Sequence, residues 1–215
     1  PSDTQISSSL LPPDTVNNSF PLSKATISSE LSILLINLVP LAVASVKYNK
    51  LSKDVLDVIK PPFWNTYFFI CSLLRKAYEE SIPRLLNENC KYNILDYGCG
   101  VRPYEYLFEG YTNKYVGVDI GDNPKANIKI MPGEKLAVND DEFDIVLSSQ
   151  VLEHVEDVNQ YMSECNRILK KGGFLLLSTH GTWQYHAAPF DYNRWTCMGL
   201  RYLLEKYGFE VEKSI

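Results

Sequence analysis

The sequence has no two cysteines spaced as CxxC, no apolar run of membrane-spanning length, no basic stripe, and no third glycine in its one GxG turn. Each absence excludes something. The five cysteines (Cys71, Cys90, Cys99, Cys165 and Cys197) are scattered and odd in number. That argues against a disulfide framework and a zinc ribbon, and reads as reduced thiols of a cytoplasmic protein. No Cys/His cluster shows zinc-ligand spacing, so no metal is expected. The longest apolar run, LSILLINLVPLAVASV at 31–46, holds Asn37 and Pro40 and falls short of the ~20 residues of a membrane span. It reads as a buried or partner-facing helix pair, with a peripheral membrane contact as the alternative. A formal net charge of −5 without a basic stripe argues against a nucleic-acid partner. No secretory leader is expected, and the oligomeric state stays open.

What is present suits one domain with appendages: 215 residues, 45% of them hydrophobic, enough for a sizeable core. Residues 1–30, rich in Ser, Thr and Pro, read as a loose N-terminal arm. Residues 31–89 read as a helical extension or lid. In it Ser52 and Asp54 open a short helix to 59, Pro61-Pro62 stop it, a longer helix spans 63–80, and a final turn or two spans 82–89. From 90 to 215 the pattern alternates. Strands are predicted at 93–97, 115–119, 127–130, 143–148, 173–179 and 209–213, and helices at 103–108, 158–170 and 198–207. This predicts an α/β, doubly wound, Rossmann-like and mostly parallel sheet with helices on both faces. Such sheets bind ligands at the carboxyl ends of their strands.

The stretch ILDYGCGVRPYEYL at 94–107 ends a strand in Asp96 and then places Gly98 and Gly100. Glycines there allow positive φ and a close backbone approach to a ligand. Proline stands at 103 where GxGxxG requires glycine, and GxxxxGK[ST] is absent. Asp96 would also repel a pyrophosphate, so a dinucleotide oxidoreductase is disfavoured, and a cationic or amino-bearing ligand suits it. Asp119 ends the next strand, 21 positions after Gly98, where a carboxylate accepts ribose hydroxyls.

These segments, with EKLAVNDDEFDIVLSSQVLEHVEDVNQYMSECNRILKKGGFLLLSTH at 134–180, resemble the class I S-adenosylmethionine-dependent methyltransferases, in particular the methyltransferase type 11 branch. The likeness covers about 90–213. It implies S-adenosylmethionine as cofactor, with Gly98 and Gly100 under its methionine part and Asp96 facing its amino group. Asp119 would hold the ribose and Ile120 would pack on the adenine. Gly133 and Glu134 would border the adenine, and Ser149 and Gln150 would line the methionine and methyl end. Two departures stand out: Arg102 where the family often has glycine, and Pro132 where it often has aspartate. Glu153-His154 is expected to fix the local turn, with a ligand or catalytic role as the alternative.

The segment STHGTWQYHAAPFDYNRWTCMGL at 178–200 is too polar for plain core and too aromatic to leave in water. A pocket wall or lid is its natural home. His180 and His186 are the candidate catalytic bases. Tyr104, Trp183, Tyr185, Asp191 and Arg194 are the candidate substrate-binding residues; for Tyr104 helix packing, and for Asp191 and Arg194 a loop-tying salt bridge, weigh equally. A hydroxyl acceptor needs a base within reach, so the histidines favour O-methylation of a small-molecule or glycan-type acceptor. The alternative is a non-catalytic cofactor-binding scaffold that docks a partner through the N-terminal helices. In the family a further strand commonly lies between the fifth and sixth. Here the chain ends with its sixth predicted strand, so either more residues follow or that strand pairs directly with the fifth.

Overall fold

The computed structural model describes residues 23–29, 48–187 and 189–214. The arm before residue 23 and the apolar run at 31–46 lie outside the described residues. Among the described residues seven strands form one sheet: β1 (Ser23–Ser29), β2 (Tyr92–Tyr97), β3 (Thr112–Ile120), β4 (Ile128–Ile130), β5 (Phe143–Ser149), β6 (Leu169–Thr179) and β7 (Phe209–Ser214). Their spatial order is β4-β3-β2-β5-β6-β1-β7, and every pair is parallel. The helices are α1 (Lys53–Ile59), α2 (Phe68–Leu85), α3 (Val158–Ile168) and α4 (Cys197–Lys206).

Successive strand residues point to opposite faces, and two cores follow from that. Leu95, Val146, Leu175 and Leu177 join the core that α3 and α4 complete with Met162, Cys165, Ile168, Leu200 and Leu204. Ile94, Ile145, Leu147 and Leu176 join the core on the other face, with Val55 and Ile59 of α1 and Leu74, Tyr78 and Ile82 of α2. Ile94 and Leu95, adjacent in sequence, are both fully buried, each contributing about 1.5–3 kcal/mol. The near-continuous apolar text of the strands is what double coverage demands. The chain runs outward from β2 to β4, then crosses back to β5. The crevice between β2 and β5 is therefore the topological switch point.

The structure differs from expectation in several places. Residues 23–29, assigned to a loose arm, form β1 between β6 and β7. The last strand therefore does not pair with β6. The inserted strand satisfies two sheet edges that local sequence cannot announce. The predicted helix at 103–108 is a short 3-10 turn, Glu105–Phe108, hemmed between Pro103 and the positive φ of Gly110; a full helix terminus does not follow the glycine turn. The helix expected over 63–80 is α2, which starts at Phe68 after turns at 63–67 and runs through Pro83 to Leu85. Strand β6 starts at Leu169, before the glycines. Gly172, at φ +77°, takes up an irregularity there. Among the described residues no helix is long and apolar enough to cross a membrane.

Candidate active site

At the end of β2 the chain turns on Gly98 (φ +81°) and Gly100 (φ +49°). A Cβ at Gly98 would lie 2.4 Å from Val151 Cγ2, so the loop after β5 packs directly on bare backbone. The amides of Gly98 and Cys99 both donate to Val118 O, at 2.8 and 3.0 Å. Arg102, in the family's usual glycine position, takes φ +58°. That conformation costs an L-residue about 1–2 kcal/mol. Offsetting it, the guanidinium donates to Asn127 Oδ1, meets Glu105 at 3.5 Å and lies over the Tyr115 ring at 5.7 Å. The departure is thus accommodated by contacts behind the loop, where Gly117 of β3 leaves room for Arg102 and Cys99.

Asp96 is 2% exposed. Burial pushes its carboxyl up to about 7, although Tyr115 Oη donates to Oδ2 at 2.7 Å and Arg102 stands near. Asp119, at the end of β3, accepts Gly100 N (3.0 Å) and Asn123 Nδ2 (2.6 Å) on Oδ2, and Ile120 N (2.8 Å) on Oδ1. Asn123 also donates to Gly100 O at 2.8 Å. Together Asp119 and Asn123 fix the glycine loop. After β4, Gly133 has φ +78°. Glu134 accepts Met131 N at 2.9 Å, and Gln160 of α3 donates to Gly133 O. Past β5, Gln150 holds φ +57° and donates its amide to Ser178 O at 2.9 Å. Its side-chain oxygen is buried without a hydrogen-bond partner among the described residues.

These residues surround one cavity of about 820 Å³, a size usual for small-molecule sites. Asp96, Gly98, Gly100, Asp119, Ile120, Gly133, Glu134, Ser149 and Gln150 all line it, as do Tyr104 and His186. Tyr104 is at the same time buried core, 4.6 Å from the Tyr78 ring. His180, 3% exposed, lies behind the wall.

Trp183, Tyr185, Asp191 and Arg194, expected at the substrate, are not among the lining residues. Tyr185 is exposed, and Trp183 stacks on His180 at 6.1 Å and packs on Tyr67 at 5.7 Å. Asp191 and Arg194 grip each other through both guanidinium nitrogens, and Arg194 also donates to the carbonyls of Trp183, Gln184 and Asn193. Asp191 further accepts His186 N at 2.8 Å. Arg194 holds the Asp191 carboxyl well below the usual range. The pair shapes the loop; His154, Phe190 and Tyr192 form the wall instead. For His154 a ligand or catalytic role is the alternative reading of the sequence; Phe190 and Tyr192 are not singled out there, because only the folded loop shows which side faces inward. Asn193 Nδ2 donates to Val155 O, and the amides of Tyr192 and Asn193 donate to Glu153 O, pinning this loop to the turn after β5.

Glu153 is fully buried, and its Oε2 accepts Thr179 Oγ1 at 2.9 Å. The chain has three histidines, and all converge here. His180 Nε2 is 3.3 Å and His154 Nε2 3.9 Å from Glu153 Oε1, and His180 Nε2 is 3.4 Å from His186 Nε2. His154 stacks on His186 at 4.9 Å. Burial, then the neighbouring His180 and His154, lower the His186 pKa.

A doubly wound sheet with a glycine turn and strand-end carboxylates at its switch point defines a nucleoside-cofactor protein of the class I kind. The family described as a methyltransferase domain matches residues 72–214, and the chain belongs to it. A Mycolicibacterium smegmatis protein named "Probable S-adenosylmethionine-dependent methyltransferase" is 28% identical over 155 residues, covering 65% of this chain and 60% of that one. The ubiquinone biosynthesis O-methyltransferase of Sinorhizobium medicae is 28% identical over 99 residues, 40% of each chain. The chain thus spans 60% and 40% of the lengths of these two relatives. The solved structure of a SAM dependent methyltransferase from Archaeoglobus fulgidus has a TM-score of 0.50 at 21% identity, covering 68% of this chain and 75% of that one. The solved structure of a Bacillus halodurans protein described as a "putative methyltransferase" has 0.51 at 19% identity, covering 61% of this chain and 68% of that one. These two structures establish the fold alone.

S-adenosylmethionine is the cofactor of this class, and the residues fit it. Two glycines bare the backbone to the cavity, and a Cβ at Gly98 would close it toward Val151. A buried carboxyl and an orphaned amide oxygen, Asp96 and Gln150, both suit an ammonium donor.

Proposed function

We propose that this chain transfers the methyl group of S-adenosylmethionine to a hydroxyl of a small-molecule or glycan-type acceptor. The observation that carries this is the cavity itself: its glycine-and-carboxylate end leads to an end walled by His154, His186, Phe190 and Tyr192. The cofactor supplies an electrophilic methyl on a sulfonium; the protein's task is alignment and proton handling. In this reading Asp96 and Gln150 hold the ammonium, Asp119 the ribose, and Ile120, Gly133 and Glu134 flank the adenine. Tyr104, Ser149 and Val151 hold the methyl end, and Phe190 and Tyr192 press the acceptor against it. The cluster of Glu153 and the histidines receives the acceptor's proton. The Asp191–Arg194 pair, set outside the cavity, keeps that wall in place.

The test has two stages. Calorimetric titration with S-adenosylmethionine, its demethylated product and NAD should give micromolar binding of the adenosyl compounds alone. Labelled methyl transfer is then followed over a panel of phenols, sugars, amines and carboxylates, and hydroxyl acceptors should be labelled. Cofactor binding without transfer to any acceptor would favour the scaffold reading. That reading has one observation of its own: Phe63, Trp64 and Phe69, around the start of α2, are 75–76% exposed, a surface apt for a partner.

A further inference from the structure

We propose that Glu153, His180 and His186 form a binding site for a divalent transition-metal ion, a zinc-type site at the acceptor end of the cavity. One donor atom from each lies within 4.8 Å of the others. Glu153 comes from the turn after β5, His180 directly follows β6, and His186 stands on the same loop beyond it. Their spacing in sequence matches no ligand motif.

Ordinary hydrogen bonding does not account for this arrangement. Glu153 is a wholly buried carboxylate whose Oε1 has no hydrogen-bond partner among the described residues. His180 Nε2 faces both that oxygen, at 3.3 Å, and His186 Nε2, at 3.4 Å. One imidazole nitrogen carries at most one proton, so it can donate to only one of them. Lone pairs that converge in this way suit a cation. Ligands bonded at ~2.0–2.2 Å in a tetrahedron lie roughly 3.3–3.6 Å apart, and two of the three edges already have that length. The third closes by a small movement of the half-buried His186 ring. Asp191, by accepting His186 N, keeps this residue's backbone beside the cluster.

Two imidazoles and one carboxylate select zinc or a similar borderline ion over magnesium, and leave a coordination position open. His186 also lines the cavity, so the ion would border the acceptor. With the ion bound, a hydroxyl ligating it would lose its proton to solvent near neutral pH, in place of direct transfer to the Glu153–histidine cluster. Only that last role rests on the methyl-transfer reading; metal binding does not.

The experiment uses the full chain stripped by chelator, titrated with Zn²⁺ by calorimetry and with Co²⁺ by visible absorption. One equivalent should bind, with the intense bands of low-coordinate Co²⁺. Glu153→Gln and His186→Ala should each weaken binding at least about a hundredfold, with circular dichroism confirming that both remain folded. Cys90→Ser/Cys197→Ser should keep the equivalent. The proposal is overturned if neither ion binds, if binding persists in both site variants, or if it disappears with the exposed thiols. Stoichiometric metal uptake without methyl transfer to any hydroxyl would overturn the acceptor reading alone.

Discussion

Replacing Asp96 by Asn separates what this carboxylate does to stability from what it does for the cofactor. Asp96 is 2% exposed, and burial raises its carboxyl from 3.8 to about 7. Between those values the folded protein binds a proton that the unfolded chain releases. Stability therefore falls as pH rises, by about 1.4 kcal/mol per unit, and levels off above pH 7. Over that window the loss is roughly 4 kcal/mol. Asp96→Asn keeps an acceptor for Tyr115 Oη, which now donates at 2.7 Å, and removes the titration. Denaturant unfolding of the cofactor-free protein between pH 5 and 8 should show wild type losing stability relative to the variant as pH rises. Cofactor binding should show the opposite preference. If the ammonium requires ionised Asp96, affinity at pH 6 is about tenfold weaker than at pH 8, because only that fraction is competent. In the Asn variant it should be weak and independent of pH. Parallel stability curves for the two proteins would refute the buried-carboxyl argument. Parallel affinity curves would refute the contact with the ammonium.

Three further outcomes follow from the geometry. Asp119→Ala should weaken S-adenosylmethionine binding by roughly 1.5–3 kcal/mol, about ten- to a hundredfold by calorimetry. Since Asp119 also holds Gly100 and Asn123, hydrogen exchange in the glycine loop should speed up in the same variant. Gly98→Ala sets a methyl 2.4 Å from Val151 Cγ2 at φ +81° and should cost at least about 2 kcal/mol of unfolding free energy; an unchanged denaturation midpoint would contradict the packing. Asp191→Asn should raise the acceptor KM far more than the cofactor Kd. The depressed Asp191 carboxyl stabilises the fold above its unfolded value near pH 4 and ceases to as acid protonates it. Wild type should therefore lose stability below pH 4 more steeply than the variant in acid unfolding.

The glycine-and-carboxylate end of the cavity was legible because its elements are local. A strand, an aspartate and two glycines in one short stretch announce a turn at a strand end, and every residue assigned to the cofactor lines the cavity. The wall formed by the loop after β6 was not legible. Chemistry-bearing residues at 178–200 pointed to a pocket wall, but which of them face inward depends on the Asp191–Arg194 pair and on Glu153 O taking two loop amides. Trp183, Tyr185, Asp191 and Arg194 turned away, while Phe190 and Tyr192 turned in. Glu153 looked like a turn residue. That it meets His180 and His186 could not be read from positions 27 and 33 residues further on.

The sequence by itself determined the alternation of strands and helices, the double coverage of the sheet and the turn at Gly98, because apolar periodicity and glycine act within a few residues. Tertiary structure alone decided the place of β1, whose text carries no pattern until the edges of β6 and β7 accept it on both sides. It also decided that Arg102 can occupy a left-handed position, since Asn127, Glu105 and Tyr115 reach it from elsewhere in the chain. And it gathered all three histidines around one buried carboxylate, an arrangement set by the ends of two parallel strands and the loop that folds across them.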